Sequence, residues 1–117
     1  LIELYGYNKE QLNNLLCGCD LMLLTTKSEG SPQIIKEAMA CNCPIVATDV
    51  ADIKQLMGNI DGCFLTSFDV IDVAKKIEKA ILFCKRTQGR ILMQKYDNKV
   101  IAETISTQVY NKLSKTV

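Results

Sequence analysis

The sequence predicts an α/β fold in which a parallel sheet carries helices on both faces. Two features point to it. Short apolar runs of strand length alternate with longer amphipathic stretches, as parallel strands joined by covering helices require, and capping or turn residues separate one kind from the other. The length of 117 residues then allows one domain, 1–117, with a core of its own.

Four runs qualify as strands: 2–5, 21–25, 45–48 and 63–66. Between the first two, Asn8 can cap a helix in which Leu12, Leu15, Leu16 and Cys19 recur at helical spacing. After the second run, Ser31 is a favoured N-cap and Pro32 suits the first helical position, where its missing N–H would have had no partner. This helix presents Ile34, Ile35, Ala38 and Cys41 on one face and Gln33 with Glu37 on another. Asn42 is expected to end it in the left-handed conformation, which Asn tolerates best after Gly. Residues 52–57 read as a short helix and Asp61-Gly62 as the turn into the fourth strand. Asp69 then caps the clearest helix, with Asp72 in its first turn. Val70, Val73, Ala74, Ile77, Ala80, Ile81 and Cys84 line one side of it, and Lys75, Lys76 and Lys79 the other. Residues 87–89 interrupt the chain, and Asp97 can cap a last segment bearing Ile101, Ile105, Val109 and Leu113. There is no internal repeat and no low-complexity linker.

A net charge of +1 exerts no global pull on nucleic acid, and no such partner is expected. The charge is unevenly spread: seven basic residues lie from Lys85 onward, against Asp97 and Glu103. A solvated helix face explains this, and an anionic membrane surface or acidic partner is the competing reading. The apolar runs, 21–24 among them, are only a few residues long and far too short to span a bilayer, so a soluble, cytoplasmic protein is expected. The six cysteines sit in apolar surroundings with no signal segment before them, which favours reduced thiols. Cys17-Gly-Cys19 and Cys41-Asn-Cys43 outline a four-thiolate set. Their spacing is tighter than zinc sites use, and neither metal nor cofactor is expected.

The most informative stretch is Ser28-Glu-Gly-Ser-Pro-Gln-Ile-Ile-Lys-Glu-Ala-Met-Ala-Cys-Asn-Cys-Pro-Ile-Val-Ala-Thr-Asp49. Two carboxylates, Glu29 and Glu37, stand eight residues apart around a helix start. The unpaired N–H groups and aligned dipoles of such a helix end attract anions, phosphate above all. In a doubly wound sheet, ligands bind beyond the carboxyl ends of the strands, which is where the run 21–25 delivers this loop.

From Asp20 to Asp49 the chain resembles the group 1 (family four) glycosyltransferases: E-x7-E falls at Glu29 and Glu37, and Glu37-Ala-Met-Ala-Cys41 precedes Pro44-Ile-Val-Ala-Thr-Asp49. Looser similarity covers most of the remainder. The resemblance implies a Rossmann-like, partial C-terminal domain of the GT-B fold, carrying part of the nucleotide-sugar donor side and lacking the N-terminal acceptor domain. It implies that Glu37 accepts from both ribose hydroxyls of the donor, a geometry one carboxylate can meet. It further implies that Glu29 is the catalytic carboxylate facing the transferred sugar, and that the backbone at Gly30, Ser31 and Pro32 lines the sugar and diphosphate. Such enzymes usually retain anomeric configuration and need no bound metal, so the helix end must help stabilise the leaving diphosphate. Many relatives carry a bulky apolar residue where Ser31 stands.

Plainer readings exist for the same residues. Glu37 suits an exposed helix position, Glu29 would favour a helix N-terminus in any case, and Lys27 is the only base in the loop. Asp49, Ala51 and Asp52 read as turn and capping residues where the family often has a glycine-bearing turn. The whole chain could instead be a non-catalytic α/β module binding a nucleotide or protein, and a thiol redox or metal protein would require the cysteines to converge.

The family's strand order, 3-2-1-4-5-6, makes the run 2–5 strand 3 and the others strands 4, 5 and 6. With strands 1 and 2 missing, 2–5 must re-pair, detach or borrow a partner, because neighbouring strands sit only about 4.8 Å apart. A homodimer through the exposed sheet edge, or a rearranged first strand, is therefore expected. The fragment alone is expected to lack transferase activity.

Overall fold

A computed structural model describes residues 1–27, 33–57 and 59–94. Three parallel strands, β1 (Met22–Leu24), β2 (Ile45–Thr48) and β3 (Cys63–Thr66), lie side by side in sequence order. This is the order expected for strands 4, 5 and 6. In register, Met22 faces Ile45 and Ile45 faces Cys63.

Helices α1 (Lys9–Gly18), α2 (Gln33–Ala40), α3 (Ile53–Met57) and α4 (Val70–Phe83) cover the sheet. All four β2 residues are buried, so both of its faces are covered. Ile45 and Ala47 join one core with Leu16 of α1, Ile35, Ala38 and Met39 of α2, and Ile53, Leu56 and Met57 of α3. Val46 belongs to the opposite face, because strand side chains alternate. No α4 residue enters that core, yet α4 packs on β2 and β3, so it covers the second face. The layered α/β arrangement is Rossmann-like in type.

Local chemistry explains the helix limits. Asn8 caps α1 through a reciprocal box: its Oδ1 accepts from Gln11 N–H at 2.8 Å while Gln11 Oε1 accepts from Asn8 N–H at 3.1 Å. Asp69 caps α4 by accepting from Ile71 N–H at 2.9 Å. Asn42 takes the left-handed conformation that ends α2, with φ of 55°. Gly62, at φ of 93°, makes the turn into β3, where an added Cβ would lie 2.6 Å from the Phe83 ring.

Two expectations need correction. Residues 2–5 form no strand; they are exposed coil. Within the single chain an extended segment with no neighbouring strand has nothing to pair its backbone with. The second is the face of α4. Val70, Ala74, Ile81 and Cys84 are exposed; Ala80 is buried and Val73 and Ile77 are half-buried, so the packed side is narrower than the periodicity suggested. The second strand is also shorter than 21–25, and the segment bearing Asp97 through Leu113 lies outside the described residues.

Candidate functional site

The site predicted from sequence lies where β1 leads into α2. After Leu24 the chain passes through Thr25, Thr26 and the exposed Lys27, and α2 is under way at Gln33. Glu29, Gly30, Ser31 and Pro32 lie outside the described residues, so of the five predicted site residues Glu37 alone is placed.

Glu37 stands in the middle of α2 and is half-buried. Its helix neighbours Ile35, Ala38 and Met39 are anchored in the core, which fixes the rotation of α2 and therefore where Glu37 projects. The carboxylate has no hydrogen bond or ion pair with any other described side chain. It lies close enough to Cys41 to help raise that thiol. Burial is the largest cause there, the neighbouring Cys17 thiol adds to it, and together these push Cys41 up to about 11.

The exits of the first two strands are tied together. Thr48, fully buried at the end of β2, donates its hydroxyl to the Thr26 carbonyl at 2.6 Å, joining the exits of β1 and β2. Beyond it, Ala51 adopts φ of 50°, a backbone state that suits glycine and agrees with the turn expected at 49–52. Ile53 N–H then bonds to Val50 O at 3.2 Å as α3 begins. Just past β3, Ser67 N–H donates to Asp72 of α4 at 2.8 Å, and Asp72 also accepts from Lys76 Nζ at 3.0 Å. The Ser67 N–H is the main reason its carboxyl titrates well below the ordinary carboxylate range.

The far end of α2 is braced by residues that sequence reasoning passed over. Arg86, counted among a solvated basic half, donates to the carbonyls of Leu16 (2.6 Å), Cys19 (2.7 Å) and Cys41 (2.9 Å), capping the carboxyl ends of α1 and α2 together. Asn42 accepts from Thr87 N–H through its carbonyl and from Arg90 N–H through its side chain, both at 2.9 Å. A helical turn at 89–94 rests there, starting at Gly89, where a Cβ would lie 2.9 Å from the Met39 carbonyl oxygen. The only sequence signal was indirect: basic residues near helix ends satisfy last carbonyls.

A groove of about 660 Å³ runs past Met57, Asn59 to Leu65 and Phe83. It borders the start of β3 and takes no residue from α2, so it is not the predicted site. Among the described residues, no group of three or more His, Cys, Asp or Glu could hold a metal ion, and no helix is long and apolar enough to cross a membrane.

The layered α/β arrangement, with β1 leading toward α2, fits the fold expected from the sequence, and sequence comparison places the chain. The family described as glycosyl transferases group 1 matches residues 1–82, and the chain belongs to that family. It is 38% identical over 48 residues to TuaC of Bacillus subtilis (strain 168), named as a teichuronic acid biosynthesis glycosyltransferase; the match covers 41% of this chain and 12% of that protein. It is 28% identical over 116 residues to the N,N'-diacetylbacillosaminyl-diphospho-undecaprenol alpha-1,3-N-acetylgalactosaminyltransferase of Campylobacter jejuni subsp. jejuni serotype O:2, covering 93% of this chain and 30% of that protein. The chain thus spans less than a third of either relative. No solved structure matches it significantly.

Proposed function

We propose that this chain is the partial C-terminal, donor-binding part of a GT-B glycosyltransferase that moves a sugar from a nucleotide-diphosphate sugar to an acceptor with retention of anomeric configuration. Glu37 accepts from the two ribose hydroxyls. The carboxylate is half-buried, held in place by a core-anchored helix, and free of any partner among the described side chains, and this carries the reading. A vicinal diol supplies two donors that such a carboxylate can accept together.

Glu29 faces the transferred sugar and steadies positive charge at the anomeric carbon as the diphosphate leaves. The backbone around Gly30, Ser31 and Pro32 lines the sugar and diphosphate. No cofactor or metal is called for, because the helix end and basic groups meet the departing negative charge. The acceptor belongs to polysaccharide or glycoconjugate synthesis. The names of both relatives support this, and the diphospho-undecaprenol in one of them favours an acceptor presented at a membrane surface, with the enzyme cytoplasmic and peripheral. Among the described residues one edge of β1 pairs with no strand, and it offers a route to a homodimer.

The test is a binding screen of UDP-, GDP- and ADP-sugars against the full-length parent, with Glu37→Gln alongside. One nucleotide series should bind and the substitution should weaken it about tenfold or more, as expected for a lost charge-assisted hydrogen-bond pair. Absence of nucleotide binding, or an unchanged affinity in Glu37→Gln, overturns the ribose assignment. Catalysis by the purified 117-residue chain would overturn the expectation that it is inactive alone.

A further inference from the structure

We propose that Cys19 and Cys43 are a redox-active pair that closes, in the presence of an oxidised low-molecular-weight thiol, into an intramolecular disulfide tying the end of α1 to the segment between α2 and β2. Their sulfur atoms are 3.4 Å apart although the residues are 24 positions apart in sequence. Two small side chains can meet by chance in a packed interior, but the same two segments also place Cys17 near enough to Cys41 to help raise that thiol. The two Cys-x-Cys runs therefore lie against each other.

The backbone on both sides is already fixed. Cys19 N–H bonds to Leu15 O and Cys43 N–H to Ala38 O, both at 2.9 Å, and Arg86 holds the carbonyls of Cys19 and Cys41. From contact distance the sulfurs still have to close to a bonding separation of about 2.05 Å. The four thiols make no metal set, since no three of these residues converge on one point. Among them, Cys19 and Cys43 are the pair whose sulfurs are in contact.

The step balances with glutathione disulfide as oxidant. Cys19, half-exposed, loses its proton and attacks one sulfur of the reagent, forming a mixed disulfide and releasing one glutathione thiolate. Cys43 then loses its proton, attacks the Cys19 sulfur and expels the second glutathione thiolate. Two protein thiols are oxidised and one external disulfide is reduced. Burial holds Cys43 as the thiol, which makes the second attack the slower one, while the nearby Arg86 guanidinium acts in the opposite sense. The loop so closed contains β1, residues 28–32 and all of α2 with Glu37. Oxidation thus cross-links the segment that carries the predicted donor site.

The experiment incubates the full chain with glutathione disulfide, blocks remaining thiols, and maps peptides by mass spectrometry with and without reductant. A reductant-sensitive Cys19–Cys43 peptide is expected, together with a melting temperature raised by roughly 10 °C, since a cross-link restricts the unfolded chain. Cys43→Ala and the more exposed Cys19→Ser should each abolish both changes. Cys19 remaining as a glutathione adduct, a cross-link that joins any other pair, or an unmoved melting temperature would overturn the proposal.

Discussion

Two helices, α2 and α4, are both amphipathic in sequence, yet α2 buries Ile35, Ala38 and Met39 while α4 buries Ala80 and leaves Val70, Ile71, Ile81 and Leu82 exposed. The difference lies in their neighbours. α2 touches α1, α3 and β2, whereas α4 meets β2 and β3. A periodic apolar pattern is enough to specify a helix, but how much of it is buried depends on how many elements arrive to cover it. In this chain the well-covered helix is the one that carries Glu37, and coverage is what gives that side chain a defined position.

The sharpest way to break this comparison is to shorten one apolar side chain on each helix. Ile35→Ala should cost about 3 kcal/mol, because the fully buried site cannot collapse around the lost atoms. Ile81→Ala, on a residue 54% exposed, should stay within about 0.5 kcal/mol. Urea denaturation of both variants decides it, and equal losses would mean that α4 is covered by something beyond the described residues.

The bracing of α2 supplies the next effect. Arg86→Met keeps an apolar stem and removes three charge-assisted bonds to carbonyls, which should cost about 2 kcal/mol, and Arg86→Lys should restore only part because an ammonium cannot reach three acceptors as a fork does. At Asn42 the two roles can be separated. Asn42→Gly keeps the left-handed backbone and loses only the bond to Arg90 N–H; Asn42→Ala loses both and should be less stable than Gly by about 1 kcal/mol. Thermal melts of the pair would test the order, and Ala equal to Gly would sink the backbone argument.

These braces also mark where the sequence could not be read. The three sheet strands, the caps at Asn8 and Asp69, and the left-handed Asn42 were legible because each depends on neighbours within a few residues. Arg86 acts on carbonyls 45 to 70 positions away, which no local rule reaches. The run 2–5 failed for a related reason: apolar residues of strand type were present, but a strand exists only with a partner, and pairing is a property of the whole sheet. Of the candidate site, the motif and the strand exit that leads to it were readable, while the bond from Thr48 to the Thr26 carbonyl was not, since a buried threonine in a strand looks like any β-branched core residue.

The smallest effect belongs to Asp72 and to pH. Its carboxylate accepts from Ser67 N–H and Lys76 Nζ, so the folded chain holds it ionised below the point where the unfolded chain would take up a proton, about pH 3.9. A group whose folded value is depressed stabilises the fold above its unfolded value, and that contribution disappears as pH falls through the folded value. Asp72→Asn should therefore be slightly less stable than the parent near neutral pH, and the gap should narrow as the medium is taken below about pH 4. The side chain is partly exposed, so salt should shrink the Lys76 share while sparing the bond from the Ser67 amide. Urea midpoints for both chains across that range, at low and high salt, would expose the contrast. A gap that stays constant with pH would mean that these donors do not hold the carboxylate in its charged form.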